Sequence, residues 1–241
     1  MAGMAERGTG RLNAVDLRLY GLLDVGVLGG DASRLAELAS EAVAGGCTLL
    51  QYRDKDMDSA RAALARIRAV QAAVEGHVPL LVNDRVDLAL AAGAEGVHLG
   101  QGDLHPEEAR RLLGPAAIIG LTVKTGAQAD ELYRLPVDYA CIGGVFATTS
   151  KDNPDLPVGL DGLQRLVVRG RLARGPSLPL GAIAGIDAGN VAEVIAAGAD
   201  GVALISALFK DGASRARARD LRERIDAALM ARGHKNRGDL R

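Results

Sequence analysis

The sequence of 241 residues contains no tryptophan, and aromatic residues make up only 2% of it. So few rings argue against the stacked aromatic platforms that bind single-stranded nucleic acid. The two cysteines, Cys47 and Cys141, lack CxxC or zinc-ligand spacing, which favours buried free thiols over a disulfide or a metal site. No uncharged apolar run approaches the roughly 18 residues of a membrane-spanning helix, and residues 1–13 lack the apolar stretch of a signal peptide. We therefore expect a cytoplasmic protein whose partners include neither nucleic acid nor membrane.

The charge of the chain is almost balanced, with 29 Lys and Arg residues against 30 Asp and Glu residues. Binding of anions must therefore be local, because the chain as a whole does not attract them. Apolar residues make up 48% of the sequence, an ordinary fraction for a globular protein of a size that can bury one large core. We expect a frayed extension over residues 1–15, one domain over 16–232 and a disordered polar tail over 233–241.

Eight short apolar runs alternate with stretches of helical periodicity. The runs lack hairpin turns between them, which predicts parallel strands covered by helices. The segments Ala91–Val97 and Ala196–Val202 differ only in their acid, Glu95 or Asp200, and suggest a repeated helix-to-strand unit. Eight units predict an α/β fold of the (β/α)8 barrel type, whereas a doubly wound sheet is disfavoured because no GxGxxG follows the first strand. The predicted strands are Leu17–Leu23, Thr48–Arg53, Leu80–Asn83, Gly96–Leu99, Ala117–Leu121, Tyr139–Gly143, Leu180–Ala184 and Gly201–Ile205.

Polar residues gather where the predicted strands end, and the carboxyl ends of the strands form the reactive face of such a barrel. Asp84 and Asp103 follow neighbouring strands, and paired carboxylates suit a Mg²⁺ ion that keeps several waters and binds substrate phosphates. Helix capping is the alternative role for either acid. The cations Arg53, Lys55 and Lys151 follow strands two and six, where they could neutralise a diphosphate.

A second anion site is predicted after strands seven and eight. Gly185 and Ser206 lie there, at the usual phosphate position of this fold, and Asp187 is expected to cap the next helix. Loop flexibility is the alternative explanation for Gly185. A metal-assisted site beside a site of backbone donors favours displacement of a diphosphate by a phosphorylated nucleophile. The nucleophilic-serine motif GxSxG and the zinc-protease motif HExxH are both absent. We interpret His98 as a structural residue of the barrel wall and Lys124 as a charge on a loop.

Four motifs, in their order along the chain, resemble those of the thiamine phosphate synthases: Gln51–Lys55, Val82–Ala89, Gly96–Leu104 and Ala182–Ile186. The resemblance implies transfer of a 4-amino-2-methylpyrimidin-5-ylmethyl group from its diphosphate to the nitrogen of a thiazole phosphate. The thiazole could carry a 2-carboxyl group. The resemblance further implies that pyrophosphate leaves by Mg²⁺-assisted cleavage of the C–O bond before the thiazole attacks.

The resemblance also implies roles for individual residues. Gln51 would contact the pyrimidine, and Asp84 and Asp103 would bind Mg²⁺. The diphosphate would be held by Arg53, Lys55, Asn83, Thr122 and Lys151. All of these except Asn83 would also take part in catalysis. The thiazole phosphate would be held by Thr148, Ser150, Gly185, Ile205 and Ser206.

Some positions depart from the family pattern. Ala184 stands where the first glycine of Gly-Gly-Ile is usual. Thr122 stands where the family commonly has serine and Ser150 where it commonly has threonine, so both positions keep a hydroxyl group. Lys124 stands where related thiazole tautomerases carry the histidine that they use for proton transfer. A tautomerase-like isomerase and a non-catalytic sensor of thiamine phosphate remain the alternative functions.

Overall fold

The structure, a computed structural model, describes residues 15–148 and 156–238, except for the side chains of 211 and 234–238. Eight parallel strands close into a barrel in sequence order. This confirms the predicted (β/α)8 barrel, and each strand lies within two residues of its predicted bounds at either end. The strands are β1 Leu19–Asp24, β2 Leu49–Arg53, β3 Leu80–Asn83, β4 Gly96–Leu99, β5 Ile118–Val123, β6 Tyr139–Ile142, β7 Leu180–Ile183 and β8 Gly201–Leu204.

Helices surround the barrel and cover the outer face of its strands. Helix α2, for example, buries Leu35, Leu38 and Ala42 at helical spacing against the barrel core. Within the described ranges, no helix is both long and apolar enough to cross a bilayer. The helices are α1 Val25–Leu28, α2 Ala32–Ala44, α3 Ala60–Val74, α4 Val86–Ala92, α5 Pro106–Leu113, α6 Gly126–Glu131, α7 Gly159–Arg174, α8 Val191–Ala196, α9 Ser206–Phe209 and α10 Ser214–Gly238.

The ends of the domain differ in part from the predicted boundaries. Residues 1–14 of the expected extension lie outside the described residues. Helix α10 continues to Gly238, so the predicted boundary at 232 falls inside a helix. Residues 214–232 are rich in Arg and Ala, which are strong helix formers, and the helix continues from them into the polar residues that suggested a tail.

The interior of the barrel is filled by side chains that alternate inward along the strands. Tyr20 and Tyr139 are the largest of them, and both are fully buried. Gly120 makes room for one of these rings, because a Cβ atom at this position would lie 2.1 Å from Cζ of Tyr139. The inside of the barrel thus carries phenol groups beneath its mouth.

The repeated junction of the sequence has a shared function at the amino-terminal end of the barrel. Glu95 and Asp200, each directly before a strand, accept a hydrogen bond at 2.9 Å from the amides of Leu80 and Leu180. Each of these amides belongs to the first residue of the preceding strand. The acid of the repeat therefore binds the neighbouring strand and sets where it enters the barrel.

Candidate active site

Two cavities open at the carboxyl ends of the strands. The β2–β5 cavity has a volume of about 400 Å³ and the β7–β8 cavity one of about 590 Å³. The β2–β5 cavity brings together most of the residues predicted for the metal and the diphosphate: Arg53, Lys55, Asn83, Asp84, Asp103 and Thr122. The β7–β8 cavity brings together those predicted for the second phosphate: Thr148, Gly185, Ile205 and Ser206. Ser150 and Lys151 lie outside the described residues, so their positions stay predictions.

Asp84 and Asp103 form a carboxylate pair in the β2–β5 cavity. Burial, and then the neighbouring Asp103 carboxyl, which makes a hydrogen bond to Asp84, raise the pKa of Asp84. Asp84 lies just after β3 with a positive φ of 59°, and its amide donates to the His98 carbonyl at 2.9 Å. Asp103 accepts a hydrogen bond from the Gly100 amide at 2.7 Å. The backbone thus holds the two carboxylates together although their charges repel.

Neither acid has the alternative role of helix cap. Helix α4 has Arg85 as its N-cap, without a side-chain hydrogen bond, and helix α5 has His105. The carboxylate of Asp84 contacts the Lys55 ammonium group instead. A cation therefore already lies against this carboxylate in the protein alone.

The residues of the pair fit a magnesium ion. Carboxylate oxygens are hard ligands, and Mg²⁺ is commonly held by one or two carboxylates together with waters and substrate phosphates. In the part of the chain that the structure describes, no group of three His, Cys, Asp or Glu residues could enclose a metal. Two carboxylates are enough for a metal whose other ligands are waters and substrate phosphates. They are too few for a metal whose ligands all come from the protein.

Arg53 is positioned by a residue that the sequence analysis did not identify. The Arg53 guanidinium forms an ion pair with Asp24, and both side chains are largely buried. Asp24 is the last residue of β1 and also accepts a hydrogen bond from the Val27 amide at 3.1 Å, capping α1. Nε of Arg53 is buried without a hydrogen-bond partner. Asp24 is a polar residue at the end of a strand, so the signal that identified residues at the ends of the other strands could also have identified it.

Lys124 lies in the loop that joins β5 to α6, as interpreted from the sequence, and it also lines the β2–β5 cavity. Strand β5 runs to Val123, two residues beyond its predicted end, which brings the next residue to the mouth of the barrel. The side chain of Gln128 accepts hydrogen bonds from the amides of Lys124 and Thr125 and also lines the cavity. Thr125 and Gln128 form a capping box, and this T-x-x-Q pattern in the sequence could have placed Gln128 at the start of α6.

Gln51 lies inside the barrel, where it contacts a chain of buried polar side chains. Its Nε2 donates to the Tyr20 hydroxyl, whereas its Oε1 is buried without a hydrogen-bond partner. The hydroxyls of Tyr20 and Tyr139 are 3.0 Å apart, and Tyr139 is 2.8 Å from Nδ1 of His98. Nε2 of His98 is 2.8 Å from Oγ1 of Thr122. We call these five residues the buried relay; it runs from Gln51 to the β2–β5 cavity.

The β7–β8 cavity is shaped by a close approach of two backbone segments. Gly185 has a φ of +66°, and a Cβ atom here would lie 2.4 Å from the Ala147 carbonyl oxygen. Glycine is therefore required at this position, and flexibility alone does not explain it. The preceding Ala184 has a φ of +92°, a region that side chains rarely adopt. Lys210 and Arg217 also line this cavity and were not predicted.

Asp187 does not cap a helix as expected. Helix α8 begins at Val191 with Asn190 as its N-cap. The Asp187 carboxylate instead accepts a hydrogen bond from the Gly189 amide at 2.7 Å, within the turn before the helix. Asn190 donates through its side chain to the Gly185 carbonyl at 2.9 Å and so supports the cavity wall.

Comparison with known proteins agrees with the motifs. The family described as thiamine monophosphate synthase matches residues 25–208. A thiamine-phosphate synthase of Agrobacterium fabrum is 52% identical over 92% of this chain and 99% of its own length; one of Koribacter versatilis is 46% identical over 83% and 92%. The solved thiamine phosphate pyrophosphorylase of Pyrococcus furiosus is 31% identical, with a TM-score of 0.75, over 90% of this chain and 98% of that one. The resemblance seen in the motifs is confirmed: the chain belongs to the thiamine monophosphate synthase family.

Proposed function

We propose that this chain synthesises thiamine phosphate from a 4-aminopyrimidine carrying a diphosphooxymethyl group and a thiazole phosphate. The C–O bond to the diphosphate breaks, its electron pair leaves with pyrophosphate, and the thiazole nitrogen lone pair forms the new C–N bond. One observation carries the proposal: a cavity of paired carboxylates and cations lies beside a second cavity with a tight glycine turn, at the same end of the barrel.

The β2–β5 cavity is suited to the departing diphosphate. Asp84 and Asp103 would hold Mg²⁺, which when bound neutralises charge on the leaving group. Arg53 would donate N–H groups to phosphate oxygens, since it lines the cavity and Asp24 fixes its guanidinium there. Lys55 and Thr122 would add a point charge and a hydroxyl donor from the same wall. Lys151, which lies between β6 and α7 in the sequence, is proposed to complete this set.

The β7–β8 cavity would hold the phosphate of the thiazole. The turn at Gly185 and the start of α9 at Ser206 offer backbone N–H groups, and Lys210 and Arg217 add positive charge. A phosphate held here serves as a handle that directs the thiazole nitrogen towards the pyrimidine carbon. No general base is needed, because the nitrogen attacks with its lone pair and loses no proton.

A reaction assay tests the proposal. Purified protein supplied with both substrates and Mg²⁺ is expected to release pyrophosphate and thiamine phosphate in equal amounts. Assays with the carboxylated and the uncarboxylated thiazole phosphate identify the form used. Folded protein without turnover would refute the proposal; aromatisation of a thiazole phosphate alone would identify an isomerase, and product binding without turnover a sensor.

Substitution of the carboxylates tests the division into two sites. Asp84→Ala and Asp103→Ala are each expected to lower turnover by at least 100-fold, because the leaving charge loses its stabilisation. Affinity for the thiazole phosphate, measured by calorimetry, should change less than threefold. Asp130→Ala is the matched control, since this exposed carboxylate of α6 pairs with Arg169 at the surface. Equal loss of thiazole phosphate affinity in the Asp84 and Asp103 variants would contradict the assignment.

A further inference from the structure

Lys124 lies just past the end of β5, on the inner side of the barrel mouth. Side chains alternate along a strand. Thr122 reaches into the barrel, where it ends the buried relay, and Val123 packs in the core beneath the helices. The next residue, Lys124, returns to the inner side. The Gly143 amide donates to the Val123 carbonyl at 2.8 Å, so the pairing of β5 with β6 continues to this point, and Lys124 lines the β2–β5 cavity.

The stem of Lys124 lies against a glycine of the neighbouring strand end. A Cβ atom at Gly143 would be 3.4 Å from Cγ and 3.6 Å from Cε of Lys124, so the lysine packs on the bare backbone there. The amides of Lys124 and Thr125 already donate to the side chain of Gln128. Lys124 therefore offers a ligand its ammonium group and not its backbone.

The charged residues of the β2–β5 cavity follow one another around the mouth in the order of the strands. Arg53 ends β2 and Lys55 follows it, Asp84 follows β3, Asp103 follows β4 and Lys124 follows β5. The pair of carboxylates therefore has cations on both sides. A diphosphate has two phosphoryl groups and can contact both sides at once, whereas a single phosphate has only one group to share between them.

Charge balance also requires a cation on the β5 side. Each of the two cations on the β2 side is already paired with a carboxylate. Asp103 adds a further negative charge to the same cavity. Without Lys124, the described charges of the cavity and of its ion pairs would sum to a negative value, which repels an anion. Lys124 brings this sum to neutrality before a metal or a substrate binds.

We propose that Lys124 binds the diphosphate from the β5 side, across the cavity from Arg53 and Lys55, and makes the cavity selective for a diphosphate over a monophosphate. This rests on the proposed function and names a further residue of that site. One phosphoryl group contacts the cations of the β2 side, and the other contacts Lys124. When the C–O bond breaks, the negative charge that develops on the leaving group is then stabilised from both sides.

Binding of two inorganic anions tests this role without turnover. Pyrophosphate and orthophosphate, each with Mg²⁺, are titrated into the protein by calorimetry, and the ratio of their affinities measures the selectivity. Lys124→Met removes the charge and keeps an unbranched stem. It should weaken pyrophosphate binding about tenfold or more, the loss expected for one charge-assisted hydrogen bond. Orthophosphate affinity should stay within threefold. Equal losses for the two anions, or an unchanged affinity for pyrophosphate, would overturn the proposal.

Further variants separate a contact of Lys124 from an effect of net charge. Lys124→Arg keeps the charge and should hold pyrophosphate within threefold of the wild type; a loss as large as in Lys124→Met would refute the role of the charge. Arg224→Met removes an exposed cation of α10, paired with Asp220 at 2.8 Å, and should leave both affinities unchanged. A matching loss in Arg224→Met would assign the effect to net charge and refute the contact. Lys124→Gln replaces Lys124→Met if circular dichroism shows that the latter does not fold.

Steady-state kinetics separates the role of Lys124 from the proposed function. Lys124→Met should raise KM for the pyrimidine diphosphate and lower kcat, while KM for the thiazole phosphate stays within twofold, because that phosphate is assigned to the β7–β8 cavity. A rise confined to KM for the thiazole phosphate would overturn the proposal. Wild-type turnover with unchanged anion selectivity in Lys124→Met refutes the role of Lys124 alone, whereas folded wild-type protein without turnover refutes the proposed function.

Discussion

Ala184 combines an unusual backbone conformation with a position in the wall of the β7–β8 cavity. Its φ of +92° is one that glycine adopts freely and alanine only under strain. The following Gly185 approaches the Ala147 carbonyl closely, so the backbone here has no freedom to relax. The turn therefore contains an alanine at a positive φ, where glycine would be less strained.

Replacing Ala184 by glycine is expected to stabilise the protein. Relief of the strain should raise the free energy of unfolding by about 1 kcal/mol, net of the greater entropy that glycine gives the unfolded chain. The measurement is urea unfolding followed by circular dichroism. Ala182→Gly, two residues earlier in β7, is the control and should destabilise, because that position carries no such strain. Destabilisation by both variants would show that Ala184 is not strained.

The Asp84 and Asp103 pair is expected to cost stability in the absence of metal. Asp103→Asn keeps an acceptor for the Gly100 amide and removes one of the charges, so the metal-free variant should be more stable at pH 7 by about 1 kcal/mol. Stabilisation by Mg²⁺ and pyrophosphate, seen as a higher melting temperature, should be lost.

The pH dependence of this gain has a defined sign. Because the folded pKa of Asp84 is raised, the native state binds more protons than the unfolded state, and stability falls as pH rises above the ordinary value of 3.8. Asp103→Asn weakens that effect. Its advantage over the wild type should therefore be full at pH 7 and vanish as the pH falls towards 3.8. A gain that does not depend on pH would contradict the charge repulsion.

Among the elements, the junctions at the amino-terminal end of the barrel concern stability and not chemistry. Asp200 accepts hydrogen bonds from the Leu180 amide, from Arg171 at 2.7 Å and from Arg232 at 3.1 Å. It thereby connects β7 with α7 and α10, at the end of the barrel opposite the two cavities. In barrels of this type the amino-terminal face serves the fold and the carboxyl-terminal face serves function.

Removing this junction should therefore separate stability from activity. Asp200→Ala removes the side-chain acceptor of the Leu180 amide and the charged partner of Arg171 and Arg232, which keep only backbone carbonyl acceptors. It is expected to lower the free energy of unfolding by about 2 kcal/mol. Turnover per folded molecule at 25 °C should stay within twofold of the wild type. Asp220→Ala, which breaks one exposed pair with Arg224, should change stability by less than about 0.5 kcal/mol. Matching losses of stability in the two variants would contradict a special role of the junction.

At the scale of the whole molecule, the strands could be predicted because each is a short apolar run, and the order of parallel units leaves few ways to assemble them. The rule that strands end at the reactive face then placed Asp84 beside Asp103 and Arg53 beside Lys55. Both predictions depend only on local sequence and on the general geometry of a barrel.

Contacts across the barrel could not be predicted in this way. Tyr20 and Tyr139 stand 119 residues apart, and their hydroxyls meet only because the barrel closes and Gly120 leaves space. Which cation contacts which carboxylate likewise depends on side-chain geometry, so the partners of Arg53 and Lys55 emerged only from the structure. These contacts depend on the register of the strands and on the side-chain rotamers, and neither can be predicted from one local segment of the sequence.

The ion pairs in the β2–β5 cavity affect which anions can bind there. Arg53 is matched by Asp24, and Lys55 by Asp84, before anything binds. A bare orthophosphate ion has to compete with the Asp84 carboxylate for Lys55. Under the proposed function, the divalent ion that accompanies a diphosphate would take the place of Lys55 at Asp84, and Lys55 would then be able to bind the phosphate. This exchange of partners would favour a metal-bound diphosphate over orthophosphate.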